Sequence, residues 1–257
     1  FSLGLKTASL FQNLAVAHAK TGNQKKALPF FEKALQLDDN NPQIRHSYSL
    51  ALLADEQYQR GWEQFEWRLA ARDNVRFRHP CETNTWNGTE TLKGKTMLVY
   101  YEQGFGDTIQ FSRYVPELEK LGAKILFCVQ DKLRDLFDSF LFPFTLVDPD
   151  DTSLNPDFSL SLMSLPYALR NHHRAPLHQS SVMKRPSKPL SSLDALSENK
   201  NKPLIGLCWR GNPSNRNDVN RSIALERLLS LTKMNVTLVN LQIDLTEEED
   251  ALLQTNN

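Results

Sequence analysis

The run Glu102-Gln103-Gly104-Phe105-Gly106-Asp107 joins an apolar stretch to an amphipathic one, and its residue types suit a ligand-binding turn. Two glycines let the backbone pass close to a bound molecule. A helix starting here offers free N–H groups to an anion or a sugar hydroxyl. The run is not a full dinucleotide fingerprint, because Ile109 stands where the third glycine belongs. Asp107 stands at the N-terminus of the expected helix, where the dipole favours a carboxylate. At the C-terminal edge of a parallel sheet, such a group can take the proton of an attacking hydroxyl. The plainer alternative is that Asp107 only caps the helix. A second cluster, Trp209-Arg210-Gly211-Asn212-Pro213 followed by Asn217-Asp218 and Arg221-Ser222, also comes straight after an apolar run. Arginine presents a planar fork of donors that matches phosphate oxygens. The alternative here is a solvated basic loop.

Other chemistry-bearing residues carry less. His172, His173 and His178 have no helical i, i+4 pairing, so no metal site is expected. Cys81, Cys128 and Cys208 lie far apart, without a CxxC pair, which argues against a disulfide framework or a zinc knuckle. The acidic run 247–250 reads as a solvated helix start. Trp62 and Trp67 could line a binding face, although aromatics on a repeated helix are more often core.

The elements that must hold these residues follow from periodicity. Small and aromatic residues recur at an offset of 34: Ala27 with Gly61, Phe31 with Phe65, Leu14 with Tyr48. This spacing predicts paired helices over 8–71, with a break at Asn40-Asn41-Pro42. The pattern lapses after 72, and 73–94 reads as a linker. Strands are expected at 96–101, 123–129, 145–147 and 158–163. Helices are expected at 108–121, closed by Gly122, and from an Asp131 N-cap to 140. Such alternation implies parallel βαβ units. A polar segment rich in Pro and Ser, 172–202, reads as a second linker. A fresh strand–helix–strand unit then starts at 203, with strands at 204–209 and 236–241 around a helix at 223–233.

The chain has 257 residues, with 30 Lys+Arg against 30 Asp+Glu, 40% hydrophobic and 23% charged. That composition fits folded, soluble domains. A neutral balance offers no electrostatic footprint for nucleic acid or an anionic membrane surface. The longest apolar run, interrupted by Pro143, is too short to span a bilayer. No basic, then apolar, leader is visible at Phe1, so a cytoplasmic location is expected. The ends at Phe1 and Asn257 read as those of a fragment.

Several motifs in order carry a resemblance. The 34-residue repeat resembles the tetratricopeptide repeat, the second copy being degenerate, with Asp39 where proline is usual. Gly104-Phe105-Gly106-Asp107-Thr108, followed by Arg113-Tyr114 and Pro116, resembles the opening loop of heptosyltransferases (glycosyltransferase family 9). Tyr101-Glu102-Gln103-Gly104, Gln110-Phe111 and Ser164-Leu165-Pro166 look like a bacterial group that joins such repeats to this type of transferase. Gly61-Trp62, Phe65-Glu66, Arg68 and Trp86-Asn87-Gly88 match that group's junction.

The resemblance implies an α/β protein with N-terminal helical repeats (1–72), then two Rossmann-type domains in the GT-B arrangement. The first would be an acceptor domain at 95–171, the second an incomplete nucleotide-sugar domain at 203–257. Asp107 would be the base, with Glu102, Gln103, Gly104, Gly106 and Gln110 forming the acceptor loop. Arg210, Asn212, Arg221 and Ser222 would meet the donor diphosphate. No cofactor or metal would be needed, and the fragment alone would be inactive. The repeats could bind a protein or peptide. Two rivals stay open: an interaction scaffold on a non-catalytic platform, and a nucleotide-binding oxidoreductase.

Overall fold

The computed structural model describes residues 7–71, 77–141, 143–169, 202–211 and 218–255. The chain forms two compact units, 1–185 and 186–257.

The first unit opens with two helical hairpins, α1 (Ala8–Lys20) with α2 (Gln24–Leu37), and α3 (Pro42–Ala54) with α4 (Tyr58–Phe65). Ala8 to Pro42 and Gln24 to Tyr58 are both separations of 34 residues, the expected offset. The caps follow from composition. Thr7 Oγ1 accepts from the Leu10 N–H at 3.2 Å at the start of α1. Asn41 Oδ1 accepts from the Gln43 and Ile44 N–H groups, with Pro42 in the first turn of α3. Ala15, Ala27, Phe31, Ala34, Ile44, Tyr48, Ala51 and Leu52 form one core between the hairpins. Small residues at 15, 27, 34 and 51 let the helix backbones approach. Leu14, expected to match Tyr48, is partly exposed where Tyr48 is buried.

A parallel sheet follows, with strands β1 (Thr96–Tyr100), β2 (Lys124–Cys128), β3 (Thr145–Val147) and β4 (Phe158–Ser161) in the order β3-β2-β1-β4. Leu98 lies beside Leu126 on one side and Ser159 on the other. Every expected strand in this unit is present, one or two residues shorter where its ends were set by apolar character alone. The expected helix 108–121 is instead α5 (Phe105–Phe111), a 3-10 turn (Ser112–Tyr114) and α6 (Val115–Lys120). Pro116 has no N–H to give to the residue four before it, which accounts for the break. Asp131 does not cap its helix. It begins a 3-10 turn, Asp131–Leu133, ahead of α7 (Arg134–Asp138), and Gln130 holds the cap position.

The segment expected as a linker, 73–94, is packed structure from Phe77 onward. The Thr83 N–H donates to Ser159 Oγ at 2.9 Å, the Ser159 N–H to Asn84 O at 3.0 Å, and the Trp86 N–H to Ser159 O at 3.2 Å. Thr85 and Ser159 form a parallel bridge along the outer edge of β4. Trp86 and Leu92 are core residues, in one cluster with Phe65, Met97, Val99, Phe127 and Leu162. Phe65 belongs to α4, so the helical segment and the sheet share a hydrophobic interior.

The second unit pairs β5 (Leu204–Leu207) with β6 (Thr237–Asn240) in parallel. A short helix, Leu225–Leu228, and a 3-10 turn, Leu229–Lys233, connect them where one helix was expected at 223–233. Helix Glu247–Thr255 follows. Of the expected linker 172–202, only Lys202 is among the described residues.

Gly88 sits at φ +92°, and a Cβ there would run into the Ala168 carbonyl. Gly88→Ala is therefore expected to destabilise the first unit by about 2 kcal/mol or more. Urea denaturation followed by circular dichroism measures this, and an unchanged midpoint would refute it.

Candidate functional site

The crevice at the C-terminal ends of β1 and β4 is where the sheet order reverses, the position at which open parallel sheets bind ligands. Here it is filled from within the chain. Arg68, on the 3-10 turn Glu66–Leu69 after α4, reaches across with its side chain fully buried. Its Nε donates to Glu102 Oε1 at 2.7 Å and one terminal nitrogen to Glu102 Oε2 at 2.8 Å. The same nitrogen donates to Ser164 Oγ at 2.7 Å, and the other donates to Glu66 Oε1 at 2.7 Å. Ser161 Oγ, at the end of β4, donates to Glu102 Oε2, and Ser164 Oγ donates to Glu66 Oε2 at 2.8 Å. The guanidinium also lies 4.5 Å from the Phe65 ring centre.

These contacts shift the ionisable groups. Burial alone would lower Arg68, but hydrogen bonds to Glu102 and the charges of Glu66 and Glu102 outweigh it and hold the group above its ordinary value. Burial pushes Glu66 up, against the pull of Arg68 and Ser164. Burial, then the charge of Arg68, keeps His46 below the usual imidazole range.

The carboxylate of Glu102, which the resemblance places in the acceptor loop, is fully buried in this cluster.

The rest of the turn is on the outside. Gly104 takes the N-cap position expected for Asp107, and Asp107 lies three residues on, inside the first turn of α5. The Gly104 N–H donates to Asp107 Oδ2 at 3.1 Å, and Thr108 Oγ1 donates back to Gly104 O at 3.3 Å. The Asp107 carboxylate is partly exposed, and among the described residues no other hydrogen bond to it is present. Gln103 O accepts from Gln130 Nε2 at 2.9 Å, which ties the turn to the loop after β2. Gly106 and Gln110 are exposed, and a Cβ at Gly106 would meet nothing within 4 Å. Phe105 and Ile109 are 47% and 45% exposed on the same helix. The turn thus offers one tethered carboxylate, exposed backbone at Gly106 and an apolar shoulder.

In the second unit, the expected phosphate cluster is largely paired internally. Arg210 makes a fork-to-fork ion pair with Glu249, Nε to Oε1 at 2.9 Å and a terminal nitrogen to Oε2 at 2.9 Å. Trp209 Nε1 donates to Glu249 Oε1 at 2.7 Å. Gln242 Oε1 accepts from the Trp209 and Arg210 N–H groups. The acidic run is therefore not merely solvated, because Glu249 closes the loop after β5. Ser222 Oγ donates to Asp218 Oδ2 at 2.7 Å, and Arg221 approaches Asp218 at 3.3 Å while 51% exposed. Asn212, His172, His173 and His178 lie outside the described residues. A groove of about 420 Å³ in this unit is lined by Leu207, Trp209, Leu225, Leu238 and Leu253, and Arg221 and Ser222 are not part of its lining.

Sequence reasoning missed the roles of Ser161, Ser164 and Glu249. Arg68 was noticed only as part of a junction motif. A buried arginine and a glutamate 34 residues apart leave no periodic signal. Among the described residues, no group of His, Cys, Asp and Glu is placed to hold a metal ion, and no helix is long and apolar enough to cross a membrane.

The described residues define an α/β protein whose N-terminal helical hairpins pack on a four-stranded parallel sheet, an architecture compatible with a Rossmann-like fold. No protein-family model matches the chain. A stretch of 137 residues, 50% of this chain, is 30% identical to Protein FlbA of Caulobacter vibrioides. The match spans 22% of that relative's length.

Burial would raise Glu249, but the hydrogen bonds from Arg210, Trp209 and the Thr246 N–H, with the charge of Arg210, bring it down to about 2. A depressed folded-state value stabilises the protein above the ordinary value of 4.5 and loses that contribution as pH falls toward 2. The Trp209 indole N–H resonance is expected to shift over that window and to be insensitive there in Glu249→Gln. A flat titration in wild type would contradict the pairing.

Proposed function

We propose that the chain is part of a glycosyltransferase-like protein that transfers a sugar from a nucleotide-sugar to an acceptor hydroxyl. The observation that carries this reading is the partly exposed Asp107 carboxylate, held by the Gly104 N–H at the loop edge of a parallel sheet. The resemblance of 101–116 to the heptosyltransferase opening loop supports the same assignment, as do the 34-residue hairpins that resemble tetratricopeptide repeats.

In the reaction, the acceptor oxygen attacks the anomeric carbon of the donor. The carbon–oxygen bond to the phosphate breaks, and the nucleoside diphosphate leaves with the electron pair. Asp107 takes the hydroxyl proton. Exposed backbone at Gly106 gives the acceptor room, and Phe105 offers an apolar surface to a sugar face or lipid. Among the described residues of the basic cluster, Arg221, half exposed beside Asp218, would offset charge on the leaving diphosphate, with Ser222 as a donor once its bond to Asp218 is exchanged. Arg210 is less available, since Glu249 occupies both edges of its fork.

A second reading, a binding scaffold on a non-catalytic platform, is favoured by two observations. The sheet's crevice is filled by Arg68. A groove of about 320 Å³ between α1, α2 and α3 is lined by Val16, Ala19, Gln24, Phe31 and Leu50, and Gln24 Oε1 is buried without a hydrogen-bond partner.

The test is hydrolysis and transfer by the full-length protein across a panel of UDP-, GDP- and ADP-sugars. Asp107→Asn is expected to lower turnover by about 10²- to 10⁴-fold while nucleotide-sugar binding, read by thermal shift, is retained. Silence of wild type across the panel, together with capture of a peptide by residues 7–71, would favour the scaffold instead.

A further inference from the structure

We propose that Arg68 is a positioning residue for the Asp107 turn, so that the helical segment sets the geometry of the sheet's loop edge. The inference deepens the transferase reading and rests on it for its catalytic meaning, while its structural content stands apart.

The turn has few anchors of its own. Gly104 and Gly106 have no side chains, and Phe105 and Ile109 point substantially into solvent. Among the described residues, contacts at Glu102, Gln103 and Gly104 hold it. Arg68 grips the Glu102 carboxylate at both oxygens, Gln130 binds the Gln103 carbonyl, and Asp107 binds the Gly104 N–H. The bonds fall on three consecutive residues, so a shift at Glu102 passes directly to the N–H that orients Asp107. Of the three, the Arg68 pair is the buried one, with both side chains at 0% exposure. An ion pair in that setting tolerates little displacement, since either partner left alone is an uncompensated buried charge.

The geometry also requires arginine. A guanidinium can serve Glu102, Glu66 and Ser164 at once along three edges, whereas an ammonium would have to choose among them. Ser161, which ends β4, and Ser164, in the 3-10 turn just after it, complete the cage, which places the turn after β1 in fixed relation to the neighbouring strand.

The experiment uses the full-length protein as wild type, Arg68→Lys, and the double variant Arg68→Met/Glu102→Gln, which removes both charges together and keeps the fold accessible if a single change does not. Hydrogen–deuterium exchange of 101–111 is the first readout. Exchange at 102–108 is expected to rise at least tenfold in both variants while Val99 in β1 and Phe127 in β2 keep their protection. The second is steady-state kinetics on whichever panel nucleotide-sugar wild type turns over. There Arg68→Lys is expected to lower kcat at least tenfold with the donor KM within twofold.

Exchange that is unchanged at 102–108, or that rises equally across β1 and β2, would overturn the proposal, as would a raised KM with kcat retained. If wild type turns over no sugar, the transferase reading fails. The exchange pattern then still decides whether Arg68 positions the turn.

Discussion

One buried guanidinium links the helical segment of the first unit to the loop edge of its sheet. Arg68 comes from the end of the helical segment, Glu102 follows the central strand β1, Ser161 ends β4, and Ser164 lies in the 3-10 turn Leu162–Ser164 that follows it. The cluster therefore ties three parts of the chain at one point. Its net worth is not the sum of its short contacts, because both ions were taken out of water to form it. The asymmetry matters more. A well-paired buried ion is roughly neutral against an apolar filling, whereas removing one partner costs about 3–5 kcal/mol. Around it, Phe65, Trp62 and Phe111 stack edge to face and supply the area burial that the ion pair does not.

That arrangement changes what the sheet can offer. In an open parallel sheet, the gap between the first strand and its neighbour across the order reversal ordinarily admits a ligand. Here a side chain of the same molecule lies in it, and the acidic residue of the glycine turn points inward to meet that side chain. What remains open is the outward side of α5, where Asp107, Gly106 and Gln110 lie together. In the second unit the same theme recurs on a smaller scale. Glu249 binds the first arginine of the basic cluster, and Asp218 approaches Arg221.

Legibility in the sequence followed the range of the interaction. The repeat offset, the strands at 96, 124, 145 and 158, and the breaks at Pro42 and Gly122 are short-range features, and they were readable. Turn chemistry was half readable. Asp107 was recognised as belonging to the start of a helix, but the actual cap is Gly104, three residues earlier, and a glycine cap has no side chain to announce itself. Pairings between distant residues were not readable. Trp86 looked like part of a linker because its neighbours, Asn87-Gly88, are turn formers, yet its indole lies in the core and donates to Glu90 O at 3.0 Å. Glu102 belongs to the glycine run that the resemblance assigns to an acceptor loop. Only the fold brings Arg68 to it.

The strip 83–86 along β4 has a consequence of its own. Exposed strand edges recruit other chains, and sheets that persist in solution need them shielded. Ser159 is engaged on its outer side by Thr83, Asn84 and Trp86, so that rim is sealed by the polypeptide's own preceding turn. At the opposite rim, β3 spans only Thr145–Val147, too short to template much pairing. A version trimmed to begin at β1 would lose this selvedge and the guanidinium together, baring a sticky border beside an orphaned carboxylate. The part that looks like connecting tissue is what covers this border of the sheet.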